Sequence, residues 1–169
     1  MQRVNILRQA EIFYELPPEH LEKLAAVCHK VTCQKIGEII VQENTPSDEL
    51  YIIVEGMVDI VVDPSILGVQ VPDSPGPTTI ATLRAGQTFG EIGLVDRGSR
   101  SASVRTAAQK THLLAIRRED LSRLCKEDYH LGYLLMRNIA SDLAFKIRNT
   151  GFMVRAQLLW KSQSKEGLV

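Results

Sequence analysis

The sequence has no net charge, because twenty lysine and arginine residues balance twenty aspartate and glutamate residues among its 169 positions. A chain without an overall positive field lacks the electrostatic attraction that recruits nucleic acid or an anionic membrane, so any phosphate recognition must be local. No run of eighteen apolar residues occurs, which argues against a transmembrane helix. The first residues, MQRVNILRQAEIF, lack the apolar core of a secretory signal. We therefore expect a cytoplasmic protein that does not bind membranes.

Cysteine is also scarce, and the three cysteines, Cys28, Cys33 and Cys125, have no paired metal-ligand spacing. An odd number of widely spaced cysteines favours reduced thiols in a cytosolic protein. The signatures of P-loop proteins, zinc proteases, kinases and serine hydrolases are missing. The four histidines lack metal spacing, and they do not supply the ligand cluster that a small β-barrel enzyme of the cupin type would need. We expect no metal, no cofactor and no catalytic activity.

The periodicity of the chain divides it into three regions. Residues 1–30 read as a helical segment, because Leu16 to Pro18 breaks one helix and Pro18 suits the first turn of the next. Residues 31–117 consist of short β-rich runs separated by turn residues, and residues 118–169 are helical again. This order predicts a mainly β fold, an antiparallel β-roll or jelly roll with N-terminal helices and a long C-terminal helix. The runs lie at 39–41, 50–54, 58–62, 78–83 and 111–116.

One segment of the β region, Pro64 to Pro77, is rich in proline and glycine and predicts a long connection between two strands. Such a connection is a tolerated surface loop in most proteins. A lid or a partner-binding tip is the alternative.

The last region predicts a short helix over Arg118 to Lys126 and a longer helix from Tyr129 to about Lys161. An apolar stripe runs along the longer helix through Leu131, Leu135, Ile139, Leu143 and Ile147, widened by Leu134, Ala144 and Val154. Thirty helical residues extend about 45 Å, which is more than one small domain covers. The stripe therefore predicts a homodimer through this helix, with an unidentified protein partner as the other possibility. Gly151 leaves open a break in the helix. After such a break, Phe152 to Trp160 would form a separate amphipathic segment.

The most informative motif is FGEIGLVDRGSRSASV, from Phe89 to Val104. Gly90 can adopt a positive φ and lie close to a ligand, and a helical turn over Glu91 to Leu94 would direct free N–H groups at an anion. Arg100 adds a guanidinium that can bind two phosphate oxygens at once, while Glu91 can accept hydrogen bonds from sugar hydroxyls. This combination suits a small cyclic phosphodiester.

The same motif resembles the phosphate-binding cassette of cyclic-nucleotide-binding domains, with FGEIGL at Phe89 to Leu94 and RSASV at Arg100 to Val104. The segment from Gly37 to Val62 resembles that domain's first strands, with Asn44 where many members have glycine. The resemblance implies that Glu91 binds the ribose 2′-hydroxyl, that Arg100 binds the cyclic phosphate, and that N–H groups of glycine and alanine complete the cradle. The candidate ligand-binding residues are Phe89, Gly90, Glu91, Ile92, Gly93, Arg100, Ser101, Ala102 and Ser103.

The C-terminal half resembles more weakly the catabolite-activator dimers, whose long helix pairs with its twin and presents polar residues to the purine base. Asn149 and Thr150 occupy those positions here. The family resemblance also implies that a serine at position 101 can bond a syn guanine, so cGMP remains open while cAMP is favoured. The 169 residues leave no room after the long helix for a winged helix-turn-helix, and the helix carries no basic stripe, so we expect no DNA binding.

Together these features predict a stand-alone sensor or regulatory module that binds a cyclic mononucleotide. The long helix would report occupancy by changing how it docks. The alternative is a degenerate module that keeps the roll for dimerisation or partner docking and binds no nucleotide.

Overall fold

The computed structural model describes residues 2–46, 48–67 and 76–166, and for residues 66–67 and 157–166 it describes the backbone alone. The chain starts with helix α1 (Gln2–Gln9), a 3-10 turn (Glu11–Phe13) and helix α2 (Pro18–Val27). Pro18 is the first residue of α2, where its missing N–H costs no helical hydrogen bond. The predicted break between two N-terminal helices is therefore present.

Within the described residues, eight strands form two antiparallel four-stranded sheets, as the β-roll prediction requires. The strands are β1 (His29–Cys33), β2 (Ile39–Val41), β3 (Glu49–Glu55), β4 (Met57–Val62), β5 (Thr78–Arg84), β6 (Thr88–Phe89), β7 (Ser103–Thr106) and β8 (Thr111–Arg117). One sheet has the order β1-β8-β3-β6 and the other the order β2-β7-β4-β5. The first strand starts at His29, before the predicted boundary at residue 31, because His29 and Lys30 already pair with Ala115 and Leu114 of β8.

Two hydrophobic cores follow from the alternation of side chains along β3. Leu50 and Ile52 pack with the helices, whereas Tyr51 and Ile53 pack between the two sheets. Successive side chains of a strand point to opposite faces, so the central strand serves both cores and is apolar on both faces. The sheet that contains β3 therefore lies between the other sheet and a helical layer.

The helical layer is completed by α4 (Arg118–Glu127) and α5 (Tyr129–Glu166). Leu131, Leu135 and Ile139 are buried in the helical core and Leu143 packs against it, as the apolar stripe predicts. Ile147 and Val154, further along the same stripe, are 72% and 49% exposed. The helix continues through Gly151, so the break that the glycine left open does not occur. It also runs five residues beyond the predicted end at Lys161.

Three further expectations concern loops, thiols and membranes. Asn44 has φ +63°, a left-handed conformation that asparagine adopts more readily than most other residues with a side chain. The predicted 64–77 connection starts with a 3-10 turn (Pro64–Leu67), and its part from 68 to 75 lies outside the described residues.

Burial raises the pKa of Cys28 to about 11, although the charge of Arg3 partly opposes this shift. The raised pKa disfavours the reactive thiolate. None of the helices that the structure describes is both long and apolar enough to cross a membrane.

Candidate functional site

The cassette begins at a tight turn between β6 and helix α3 (Glu91–Asp96). Gly90 makes this turn with φ +91°, and a Cβ there would lie 2.5 Å from Arg100 Nη1 and 2.6 Å from the Glu49 carbonyl oxygen. A side chain at position 90 would therefore be strained by its backbone and would collide with its neighbours. Glycine is needed because the main chain of the turn, the Glu49 carbonyl group of β3 and the Arg100 guanidinium lie too close together here for a side chain.

Arg100 is almost completely buried, with 7% of its surface exposed. Its main chain is fixed by two hydrogen bonds to the turn before β3, donated by Arg100 N to Thr45 O and by Asn44 N to Arg100 O, each 2.9 Å long. Its Nη2 donates to the Glu49 carbonyl oxygen over 3.0 Å, and its Cζ lies 5.7 Å from the centre of the Tyr51 ring. Nη1 is buried without a hydrogen-bond partner among the described residues.

The charge of Arg100 is balanced by its surroundings. Burial lowers the pKa of its guanidinium, while Tyr51, Glu49, Asp48 and Glu91 oppose this shift. Arginine remains charged at any physiological pH. The site therefore holds a permanent, buried positive charge.

Glu91 is the first residue of α3 and is 4% exposed. Its Oε1 accepts a hydrogen bond of 2.7 Å from Lys146 Nζ, which reaches over from α5. Its Oε2 is buried and has no hydrogen-bond partner within the described part of the chain. One carboxylate oxygen is thus paired and the other is free to accept.

The other predicted cassette residues divide into supporting and accessible positions. Phe89 stacks on Tyr51 with ring centres 4.8 Å apart, so it supports the site from the core. Gly93 is buried, Ile92 is exposed, and Ser101 is exposed beside Arg100. Ala102 and Ser103 are half-buried, and the Ser103 hydroxyl accepts a 3.0 Å hydrogen bond from Glu43 N.

Asn149 and Thr150 are exposed on α5. They follow Lys146 by three and four residues and so lie on its side of the helix. The Thr150 hydroxyl donates to the Lys146 carbonyl oxygen over 2.9 Å. The side of α5 that carries the two predicted base contacts therefore reaches the cassette, but through Lys146.

A cavity of about 550 Å³ borders Arg100 and Tyr51. This volume lies within the range of about 300–1,000 Å³ that is usual for small-molecule sites. Most of its wall comes from β2, the start of β3 and the junction of β8 with α4. Glu91 does not belong to this wall, so the cavity marks open space beside Arg100 and does not outline the whole cassette.

Sequence reasoning missed four residues of the site: Glu49, Tyr51, Asp142 and Lys146. Glu49 and Tyr51 lie on a strand whose pattern indicates core packing, and nothing in that pattern shows their approach to Arg100. Asp142 and Lys146 did leave a signal, because an acid and a base four residues apart share one side of a helix. That side is the one that carries Asn149 and Thr150.

Known proteins are similar to this chain in sequence. A family model described as "Cyclic nucleotide-binding domain" matches residues 34–128, more than half of the chain. The Cyclic AMP receptor protein of Thermus thermophilus is 31% identical over 142 residues, covering 84% of this chain and 59% of that protein. The cAMP-dependent protein kinase regulatory subunit of Dictyostelium discoideum is 31% identical over 125 residues, covering 74% and 34%. The cGMP-dependent protein kinase, isozyme 1, of Drosophila melanogaster is 28% identical over 121 residues, covering 72% and 15%.

Solved structures agree in fold. The crystal structure of the Thermus thermophilus catabolite activator protein matches with a TM-score of 0.70 and 28% identity, over 88% of this chain and 63% of that one. A cyclic nucleotide-binding domain from Methylobacillus flagellatus matches with a TM-score of 0.76 and 22% identity, over 92% and 82%. This chain spans 15% to 59% of the lengths of the three relatives named above. By its family match, its fold and its cassette, the chain belongs to the cyclic nucleotide-binding domain family.

Proposed function

We propose that this chain binds a cyclic mononucleotide and acts as a sensor or regulatory module without catalytic activity. The observation that carries the proposal is a pair of buried polar atoms from oppositely charged side chains, Arg100 Nη1 and Glu91 Oε2, which have no hydrogen-bond partner among the described residues. Burying a polar group without a partner costs free energy, so a fold that keeps two of them in one cassette indicates a ligand that supplies both partners. A cyclic phosphate would accept from Arg100, and a ribose hydroxyl would donate to Glu91.

The remaining predicted residues have supporting roles in this proposal. The backbone N–H groups of Gly90 and Ala102 would add hydrogen bonds to the phosphate, and Asn149 and Thr150 would contact the base. We favour cAMP because the two named relatives that are 31% identical carry cAMP in their names. cGMP remains the second ligand, because Ser101 offers an exposed hydroxyl next to Arg100.

Signalling would proceed through α5. A nucleotide can shift the helix only by the difference between its affinities for two arrangements. We further propose a homodimer through α5, with an unidentified protein partner as the alternative occupant of its exposed end. The expectations of a cytoplasmic location and of no DNA binding remain predictions.

A thermal-shift panel of cAMP, cGMP, cyclic dinucleotides and linear AMP tests the proposal. A ligand at 100 times its dissociation constant adds about 2.7 kcal/mol to the stability of the folded state. We expect cAMP or cGMP to do so and linear AMP to have a much smaller effect. If no cyclic mononucleotide stabilises the protein, the degenerate module that binds nothing becomes the correct description.

The role of Glu91 has its own test. We expect Glu91→Ala to weaken nucleotide binding by about 1.5–3 kcal/mol, the range for a hydrogen bond to a charged group. Titration calorimetry with cAMP and its 2′-deoxy analogue measures this loss. The variant should barely distinguish the two ligands, and retained discrimination would show that another residue reads the sugar.

A further inference from the structure

We propose that Lys146 is a positioning residue for sugar recognition: from α5 it orients the Glu91 carboxylate so that one oxygen stays free for the ribose 2′-hydroxyl. This inference rests on the proposed function and deepens it. It assigns to the long helix a direct part in selecting ribonucleotides over their 2′-deoxy analogues.

The contact itself is short, and its two carboxylates are shielded from solvent although the Lys146 side chain is 37% exposed. Lys146 Nζ lies 2.7 Å from Glu91 Oε1 and 2.8 Å from Asp142 Oδ2, and the two carboxylate side chains are 5% and 10% exposed. The ammonium group thus bridges an acid of its own helix and the cassette acid. Thr88 O, at 3.5 Å, lies next to the same group and ties it to the strand before the cassette.

The physical reason for such a bridge is the burial of Glu91. A carboxylate that leaves water loses a large solvation free energy unless a cation and hydrogen bonds replace it. Burial alone would lower the pKa of Lys146, but the carboxylates of Glu91 and Asp142 outweigh it and raise that pKa. The lysine therefore carries its charge where Glu91 needs a counter-ion.

The two oxygens of Glu91 have different surroundings, and this difference gives the bridge its specific role. Lys146 occupies Oε1, while Oε2 is buried without a partner among the described residues. Fixing one oxygen also fixes the plane of the carboxylate and therefore the direction of the other. A hydroxyl donor can bind Oε2 without displacing the lysine, so Lys146 supports the sugar contact and does not compete with it.

Because Lys146 belongs to α5, the same contact links the sugar to the helix. A ligand that binds better when Lys146 is in place must, by reciprocity, favour the arrangement of α5 that places it there. A 2′-deoxy ligand does not use Oε2 and should exert less of this effect. The helix would thus sense the sugar as well as the phosphate.

The test is calorimetry of cAMP and 2′-deoxy-cAMP on the full chain, as wild type, Lys146→Met, Lys146→Arg and Arg148→Met. Lys146→Met should weaken cAMP binding about 10-fold or more, as the loss of support for a charge-assisted hydrogen bond implies. Binding of the 2′-deoxy analogue should change by less than about 3-fold, within the spread of ordinary surface changes. Lys146→Arg should restore part of the selectivity, because it returns a cation to Glu91. Arg148 is an exposed cation on the same helix, so Arg148→Met is the matched control and should leave both affinities unchanged.

Two further variants complete the design. Asp142→Asn should also reduce the preference for cAMP over 2′-deoxy-cAMP, but by a smaller factor than Lys146→Met does. The reason is that Lys146 would lose only one of its two carboxylate partners. Lys146→Gln provides a second removal of the charge if thermal unfolding shows that Lys146→Met does not fold.

Three results would overturn the inference about Lys146. Equal weakening of both ligands would indicate a merely structural role, tighter cAMP binding would indicate a lysine that competes with the sugar, and no change in either affinity would indicate that Lys146 has no part in binding. A wild-type protein that binds neither ligand would instead refute the proposed function, and the positioning role of Lys146 with it. The wild-type arm therefore separates the two failures.

Discussion

Arg100 and Glu91 show what single residues contribute to this site. Both are nearly buried, yet each keeps one polar atom without a partner in the described chain. The sequence motif predicts both residues and their distinct roles, because a bidentate cation and a hydroxyl acceptor are visible as residue types. It does not predict that Arg100 is held over Tyr51 or that Lys146 pairs with Glu91. Those contacts join residues about 50 positions apart, and local patterns carry no information about them.

Arg100 should be the principal phosphate anchor, and its loss should cost more than any other single change. We expect Arg100→Ala to weaken nucleotide binding by about 3–5 kcal/mol, as removal of one partner from a buried charge pair does. Arg100→Lys should recover only part of this loss, because lysine lacks the planar fork. Titration calorimetry measures both. Arg97→Ala is the matched control: Arg97 is exposed at the end of α3, and its loss should stay within about 1 kcal/mol. A larger effect at Arg97 than at Arg100 would refute the cassette assignment.

Gly90 and Gly151 offer a matched pair of glycine substitutions. Gly90→Ala should destabilise the fold by at least about 1–2 kcal/mol, the cost of a left-handed alanine, and should displace Arg100, whose Nη1 lies 2.5 Å from the new Cβ. Gly151→Ala should instead stabilise it by about 0.5–1 kcal/mol, because Gly151 is helical and, apart from its own turn of helix, no described atom lies within 4 Å of the position of an added Cβ. Urea unfolding of the three proteins gives the comparison, and equal shifts in the two variants would contradict it.

The secondary-structure elements were more predictable than their contacts. Short β-rich runs bounded by turn residues locate β2, β3, β4, β5 and β8, whereas β1, β6 and β7 are too short or too polar to be recognised from their pattern. The apolar stripe of α5 predicts burial correctly from Leu131 to Leu143, and exposure beyond it follows from where the domain ends. Gly151 does not interrupt the helix, because one interior glycine costs only about 1 kcal/mol relative to alanine.

Asp128, immediately before α5, ties that helix to α2. Its Oδ2 lies 2.6 Å from Lys23 Nζ and 3.1 Å from His20 Nε2, and its Oδ1 accepts from Leu131 N over 3.1 Å. The hydrogen bonds from Lys23 and Leu131 lower the pKa of Asp128 to about 2, and electrostatic attraction to His20 and Lys23 adds to this shift. A carboxyl group whose pKa is lower in the folded state stabilises the fold above its ordinary pKa, and this stabilisation disappears as the pH falls through the folded value.

Asp128→Asn should therefore destabilise the protein at pH 5 and above, and the difference from wild type should shrink between about pH 4 and pH 2. Urea unfolding at a series of pH values measures it. Glu127→Gln, at an exposed neighbouring position, is the control and should show little difference at any pH. A difference that grows with acidification would contradict the assignment.

At the scale of the whole molecule, α5 is longer than the domain beneath it. Its 38 residues extend about 57 Å at 1.5 Å per residue. Leu131, Leu135 and Ile139 are buried by the chain's own helices, but Ile147 and Val154 continue the same stripe into solvent. Phe152 adds a ring that is 76% exposed. Apolar patches of this kind on a folded protein mark a surface that another molecule covers.

We expect that molecule to be a second copy, because two stripes on equivalent helices can pack against each other about a twofold axis. The full chain should sediment as a dimer at micromolar concentration. Removal of the residues after Asn149 should give a monomer that retains the β-roll, and Ile147→Lys combined with Val154→Lys should do the same in the full chain by placing charge in the interface. Tyr129→Lys, at an exposed position at the start of α5, should leave the dimer intact. Circular dichroism would verify that each variant keeps its fold. If the full chain sediments as a monomer, the exposed end of α5 must be covered by a different protein or fold back on its own domain.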